Sequence, residues 1–242
     1  GGIPNIFLIP SDQTKKAHLE SYVNTNLKEE IYDEALTRNL PAFTKFLDLA
    51  GHENGNVINY SNIARETGVS SNVIKEYYSI LEDTLIGFYL RPFHKSPRKR
   101  IINHPKFYFS DTGLVFALKR MLSVELIEET PLYGDAFEHF IILETMKIIN
   151  YASAEINMYF YRTSDGAEVD LILEKHGSIT AVEIKSSRDP RNLGGLKSFL
   201  KDHPVKKAYC VCQTPRVYEM GGISFIPWQT FLENLSILMG KL

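Results

Sequence analysis

Residues 166–187 read GAEVDLILEKHGSITAVEIKSS, and this stretch decides the fold of the second half of the chain. Residues 168–174 read EVDLILE and residues 179–186 read ITAVEIKS, and both runs are predicted to form β-strands. Between the two runs, Gly177 can adopt the positive φ that a tight hairpin turn requires. The pattern therefore predicts an antiparallel β-hairpin.

The predicted register brings four charged side chains together. A turn centred on residues 176 and 177 pairs residues whose numbers add up to 353. Asp170 then faces Glu183, and Glu168 faces Lys185. Because side chains alternate along a strand, all four fall on one face of the hairpin, unless a β-bulge changes the register. The other face is apolar and consists of Val169, Leu171, Leu173, Thr180, Val182 and Ile184.

Two carboxylates that face each other in a sheet require an explanation, because like charges in that position destabilise it by up to about 1 kcal/mol. A divalent cation between Asp170 and Glu183 would turn this cost into binding free energy. Oxygen ligands on a half-open surface favour Mg²⁺ or Mn²⁺. Lys185 would then orient a water molecule or offset charge on a phosphate. The alternative is a solvated polar face on which Lys185 neutralises Glu168.

Four motifs carry a family resemblance: KFYFSDTGL, YGDAFEHFIILE, FYRTSDGAEVDLIL and AVEIKSS. From about Lys15 to its end, the chain resembles a prokaryotic domain of unknown function that follows the P-loop module of AAA-type ATPases. The Asp-x12-Glu-x-Lys pattern on the predicted hairpin also resembles the core motif of the PD-(D/E)XK nuclease superfamily. In that superfamily the two acids hold a metal ion and the lysine assists the attacking water.

The resemblance implies a nuclease-like domain over residues 126–242, with the element order αβββαβ and a mixed sheet. It implies that Asp170, Glu183 and Glu138 of the first helix bind Mg²⁺ or Mn²⁺, and that Lys185 is catalytic beside them. The implied reaction is magnesium-dependent hydrolysis of DNA. Val169 stands where the superfamily's name has proline.

The composition is that of a globular protein, with 242 residues, 44% hydrophobic and 23% charged, and a net charge of −2. This near-neutral charge gives no general reason to expect a nucleic-acid partner. No apolar run approaches the roughly eighteen residues of a membrane-spanning helix, so we expect no membrane partner. Cys210 and Cys212 alternate on one predicted strand, in poor geometry for a mutual disulfide and too few for a zinc site. We therefore expect a cytoplasmic protein with buried, reduced thiols.

The first half, residues 1–125, reads as a helical region that ends in a winged helix. Together with the mixed sheet of the second half, this makes the whole chain an α+β or α/β protein. Apolar residues recur at helical spacing over residues 15–39, and Pro41 can open the next helix. Residues 61–85 have the signature of a helix-turn-helix, with Gly68 at the turn and Ser70 or Ser71 capping the second helix. Two strand-like runs follow within residues 86–110 and form the predicted wing.

The predicted wing is basic. Residues 84–110 contain six lysines and arginines and no acid, which favours contact with DNA phosphates. The predicted recognition helix carries one lysine, Lys75, and three acids, Glu76, Glu82 and Asp83, so sequence-specific readout is not expected. The alternative is a winged helix that docks a protein or another copy of the chain. The basic residues of the predicted wing are Arg91, Lys95, Arg98, Lys99, Arg100 and Lys106.

Two further motifs bear on function. Asp111 opens the run DTGLVFALKRML, where an aspartate at a helix start predicts an N-cap rather than a catalytic acid. No P-loop motif G-x-x-x-x-G-K-[ST] occurs, so we expect no ATP site in this chain. The ATPase partner domain implied by the resemblance would then lie upstream of Gly1. Two hypotheses remain: a nuclease domain positioned by an ATPase, and a non-catalytic module for binding or assembly.

Overall fold

The computed structural model describes residues 2–27, 39–94 and 102–235, and it divides into two compact units. The first unit consists of residues 1–89 and 105–125, and the second of residues 90–104 and 126–242. Residues 90–104, which lie within the predicted wing, therefore group with the second unit.

The first unit is built from helices around an aromatic core. Its helices are α1 (Pro4–Phe7), α2 (Asp12–Ser21), a π-helical turn (Tyr22–Asn26), α3 (Leu40–His52), α4 (Tyr60–Thr67), α5 (Ser71–Asp83) and α6 (Thr112–Leu118). The ring of Tyr78 lies edge-on to Phe46, with 4.9 Å between their centroids, and also contacts Phe107. The core thus holds the helices together through rings on three different elements.

The predicted caps of this unit are confirmed, with one shift. Gly68 ends α4 with φ 75°, in the left-handed conformation that glycine adopts most easily, and Ser70 caps α5 through the amide of Val73. Asp111 caps α6 by accepting from the amide of Leu114 at 2.9 Å. The first helix of the predicted helix-turn-helix was expected to begin at Ser61. It begins at Tyr60, because the Asn59 side chain accepts from a backbone amide of the first turn.

Two strands occur in the region of the predicted wing, β1 (Gly87–Pro92) and β2 (Lys106–Phe109), and they are neighbours in the sheet. Both lie within residues 86–110, where two strands were predicted. The amide and the hydroxyl of Ser110 both donate to the carbonyl of Ile86 next to this pair. Lys95 and the run 98–100 lie outside the described residues.

The second unit is a mixed sheet with helices. Its first long helix, α7 (Pro131–Tyr151), precedes β3 (Asn157–Arg162), β4 (Glu168–Lys175) and β5 (Ser178–Ile184). The elements α8 (Gly194–Asp202), β6 (Val205–Cys212), β7 (Tyr218–Met220), β8 (Ile223–Pro227) and α9 (Trp228–Glu233) follow. Among the described residues the strand order is β1-β3-β4-β5-β6-β8-β7, with parallel and antiparallel pairs.

The predicted hairpin register is confirmed between β4 and β5. Lys175 pairs with Ser178 and Leu171 pairs with Val182, so the residue numbers of each printed pair add up to 353. His176 and Gly177 have φ values of 49° and 79°. Two consecutive positive φ angles define the tight turn whose twist matches a hairpin, and they fix this register.

A β-bulge corrects the predicted faces of β4. On β3 the pairing advances by two residues, from Tyr159 to Tyr161, while on β4 it advances by three, from Ile172 to Val169. The extra residue reverses the alternation of side chains. Val169 therefore packs in one apolar cluster with Ile172 and Ala181, and its predicted place on the same face as Leu171 was wrong.

Within the described ranges, none of the helices combines the length and the apolar character that crossing a membrane demands. Cys210 and Cys212 are both buried and free, as expected.

Candidate functional site

Asp170 lies at the bulge of β4, and its carboxylate accepts a hydrogen bond from the backbone of the neighbouring strand β5. Oδ2 accepts from the backbone amide of Ile184 at 2.7 Å, where a regular hairpin would use a carbonyl group. Only 8% of Asp170 is exposed. The bulge therefore joins the Asp170 carboxylate to the backbone of β5, directly after Glu183.

Glu183 is buried, with 6% of its surface exposed. It pairs with Cys210 of β6, and one of its carboxylate oxygens, Oε1, lies 2.7 Å from Nζ of Lys185. The other oxygen, Oε2, is buried and has no hydrogen-bond partner among the described residues. Burial raises the pKa of Glu183, and the attraction of Lys185 lowers it without cancelling the rise. The carboxylate thus has one coordination position that protein donors leave open.

Lys185 follows the end of β5, and its amide donates to the carbonyl of Val211 at 2.9 Å. About a third of its side chain is exposed, at 34%. Burial lowers the pKa of Lys185, but the carboxylates of Asp170, Glu183 and Glu138 raise it more, and the result lies above the ordinary value. Lys185 is therefore a cation held in the field of three acids and partly open to solvent.

Glu138 belongs to the same electrostatic group, since its charge raises the pKa of both Glu183 and Lys185. It is half-buried on α7. Gly134 lies one helical turn earlier on the same helix face, and a Cβ atom built there would be 3.7 Å from Oγ of Ser186. This face of α7 is therefore directed at the chain segment that follows Lys185.

Glu168 has a different partner from the one predicted. It pairs in register with Arg162 of β3, and their side chains form an ion pair at 3.2 Å. Lys185 forms its ion pair with Glu183 instead of neutralising Glu168. The reason is that β4 and β5 pair by backbone only up to Leu171 and Val182, so the simple register no longer applies at Glu168.

Two expectations about the metal site need correction or restriction. The carboxylates of Asp170 and Glu183 were expected on a half-open surface, but both are buried. Across residues 2–27, 39–94 and 102–235, no three or more His, Cys, Asp and Glu side chains form a group that could hold a metal ion. Glu138 is thus not gathered with Asp170 and Glu183 into a three-carboxylate set.

The donors present nevertheless fit Mg²⁺ or Mn²⁺. Mg²⁺ usually keeps several waters and binds proteins through only one or two carboxylates. Asp170 and Glu183 provide two carboxylates, and the buried Oε2 of Glu183 lacks any donor from the described chain. A buried charged oxygen without a partner is costly, and a cation would remove that cost.

The structure describes only part of the set of residues predicted to contact nucleic acid. Lys75 is exposed on α5, and its Nζ lies 5.5 Å from the centre of the Tyr60 ring. Arg91 is exposed on β1, whereas Lys106 is buried with 3% exposed, so Lys106 was wrongly counted in a phosphate-binding wing. Lys95, Arg98, Lys99 and Arg100 lie outside the described residues.

Sequence reasoning missed Gln213, which follows β6. Its side-chain Nε2 donates to the carbonyl of Ser186 at 2.8 Å and to the hydroxyl of Tyr133 at 2.9 Å. No pattern around the run VCQTP marks this glutamine. Tyr133, however, is the first residue of YGDAFEHFIILE, one of the four motifs that carry the family resemblance.

Comparisons with known proteins relate both halves of the chain to domains without an assigned activity. Residues 1–125 match the domain of unknown function DUF8612, and residues 133–231 match the domain of unknown function DUF4143. The chain is similar to the uncharacterized proteins Mb2031c of Mycobacterium bovis and Rv2008c of Mycobacterium tuberculosis. Each is 28% identical over 207 residues, which are 84% of this chain and 45% of the relative. The chain thus spans less than half the length of these relatives.

Proposed function

The chain belongs to the family of the domain of unknown function DUF8612, and we propose that its second unit hydrolyses DNA phosphodiesters with a divalent cation. The observation that carries the proposal is the state of Glu183. Its carboxylate is buried, one oxygen is paired with Lys185, and the other has no partner among the described residues. Such an arrangement destabilises the protein unless a ligand uses it.

Asp170 and Glu183 would hold Mg²⁺ or Mn²⁺. The cation would supply Lewis acidity toward a phosphate oxygen. Asp170 is oriented for this role by the amide of Ile184, and Glu183 by its contact with Lys185. Because Lys185 is partly exposed and positively charged, its ammonium would offset the charge that builds on the phosphate during attack. Glu138 would contribute negative charge beside the cation rather than complete a three-carboxylate set.

The setting of this activity is also part of the proposal. We infer that the chain is the C-terminal region of a longer AAA-type ATPase, since its motifs resemble the domain that follows the P-loop module in such ATPases, and the two mycobacterial relatives are more than twice as long as the aligned region. The ATPase portion would place DNA on this unit, and the basic run 98–100 would contact the phosphate backbone without reading sequence.

The decisive experiment is a calorimetric titration with Mn²⁺, followed by cleavage assays on single- and double-stranded DNA. We expect the wild-type protein to bind Mn²⁺ and Asp170→Asn to lose most of that affinity, because one ligand charge is removed. Lys185→Ala should keep the metal, while cleavage should fall by a factor on the order of a hundred or more. Glu155→Gln is the matched control, since it removes a carboxylate whose side chain is 82% exposed, paired with His176.

Two results would contradict the proposal. The first is no heat of binding for the wild type at millimolar Mn²⁺. The second is equal loss of affinity in Asp170→Asn and in the control Glu155→Gln, which would place the ion elsewhere.

A non-catalytic module is the second candidate, and two observations favour it. Lys185 already neutralises part of the Glu183 charge, and no group of three metal-ligating side chains occurs within the ranges that the structure describes. In that case the fold would serve DNA binding or assembly with the ATPase. Mn²⁺ binding without cleavage, in the full-length protein as well as in this chain, would favour the module over the nuclease.

A further inference from the structure

We propose that Gln213 is a positioning residue that fixes Lys185 relative to Glu138, a role that rests on the proposed function of the site. The side-chain amide of Gln213 joins the chain segment after Lys185 to the first turn of α7, the helix that carries Glu138.

The first link is to the segment after Lys185. Nε2 of Gln213 donates to the carbonyl of Ser186 at 2.8 Å, and the backbone amide of Gln213 donates to the carbonyl of Ser187 at 3.2 Å. Together with the bond from the Lys185 amide to Val211, these contacts continue the alignment of β5 with β6 beyond the last strand residue. The backbone on both sides of Lys185 is thereby fixed.

The second link is to α7. The same Nε2 donates to the hydroxyl of Tyr133 at 2.9 Å, and Tyr133 is itself part of the capped first turn, where its amide donates to Thr130. This turn lies close to Ser186, since a Cβ atom built at Gly134 would be 3.7 Å from the Ser186 hydroxyl. One amide group therefore spans the gap between the helix and the strand end.

The Gln213 side chain sets the distance between α7, which carries Glu138, and the strand end that carries Lys185. Glu138 lies on the face of α7 that Gly134 presents to Ser186, and its charge acts on Lys185 and Glu183. If the amide of Gln213 is lost, α7 and the strand end can separate, and the Lys185 ammonium loses its fixed place beside Glu183. A displacement of about 1 Å is enough to reduce a reaction rate by up to about a hundredfold.

The test uses two variants. Gln213→Met keeps the side-chain length but removes the Nε2 group that donates to Ser186 and to Tyr133. Tyr133→Phe removes only the hydroxyl that accepts from Nε2. The readout is the proton–nitrogen NMR cross-peak of the Lys185 ammonium, which is visible only while the group is held and its protons exchange slowly with water. We expect this peak in the wild type, a weaker peak in Tyr133→Phe and none in Gln213→Met. Cleavage should fall in kcat by up to about a hundredfold in Gln213→Met, with KM and Mn²⁺ affinity retained.

The matched control is Asn234→Leu, which removes a side-chain amide that donates to the carbonyl of Thr230 at 3.0 Å, far along the chain from the site. It should leave the Lys185 peak unchanged. An unchanged peak in folded Gln213→Met, or no peak in the wild type, would overturn the proposal. Loss of the peak in Gln213→Met, in a wild type that neither binds Mn²⁺ nor cleaves DNA, would refute the proposed function but not the coupling.

Discussion

Replacing Gly195 with alanine should destabilise the second unit strongly, although the same change next to it should not. Gly195 lies in the first turn of α8, where a Cβ atom would overlap the carbonyl oxygen of Glu168 and lie 2.8 Å from its nitrogen. These are backbone atoms of β4, which cannot rotate away as the end of a side chain can. Overpacking of this kind costs about 3 kcal/mol, and the better helix propensity of alanine returns about 1 kcal/mol. The expected net loss is about 2 kcal/mol.

Gly194→Ala is the matched control, because a Cβ atom at Gly194 would meet only the Asn192 side chain, at the ordinary distance of 3.6 Å. For a chain of this size, a loss of about 2 kcal/mol lowers the melting temperature by about 4–8 °C. The fluorescence of Trp228, the single tryptophan, follows the second unit in urea and thermal denaturation, since its ring contacts Phe140 of α7. Equal midpoints for the two variants would refute the close contact between α8 and β4.

Variants at Glu183, at Asp170 and in the basic run 98–100 test the site and the predicted wing. Because burial raises the pKa of Glu183, its charged form costs stability above the folded-state pKa, and this cost disappears as the pH falls below the ordinary value of 4.5. Glu183→Gln should therefore raise the melting temperature at pH 7 but not near pH 4. It should also abolish Mn²⁺ binding. A lower melting temperature of this variant at pH 7 would contradict this reasoning. Asp170→Ala should lower the free energy of unfolding, measured in urea, by about 1–3 kcal/mol, because it leaves the buried Ile184 amide unpaired. Asp170→Asn should lower it clearly less. Similar losses in the two variants would argue against the hydrogen bond between Asp170 and the Ile184 amide. Alanine at all three positions of the basic run 98–100 should weaken binding to unrelated DNA sequences alike and reduce the salt slope by up to about one unit per lost phosphate contact. Unchanged affinity would instead support protein docking.

The sequence by itself determined the elements whose causes are local. The turn at His176 and Gly177 sets the hairpin register through two positive φ angles, and the predicted register is the one observed from Lys175 to Leu171. The caps at Ser70 and Asp111 follow from side chains that bond to amides three residues away. Such features need only neighbouring residues, so they can be read without knowledge of the fold.

Only the tertiary structure decided how the charged residues of the hairpin are partnered. The bulge in β4 depends on pairing with β3, a strand from outside the hairpin, and it moves Val169 to the face opposite the predicted one. It also lets the Asp170 carboxylate bond to the backbone of β5. Burial of Glu183 requires the neighbouring strand β6, which the alternation within one hairpin does not contain.

The contacts that organise the site are also long-range. Gln213 meets Tyr133 across 80 positions of sequence, and Gly195 approaches Glu168 at a crossing of helix and strand. Neither residue has a local pattern, because its role is set by whichever element packs against it. The sequence could thus supply the residue types of the site, while the partner of each charge and the space around it were decided by packing between elements.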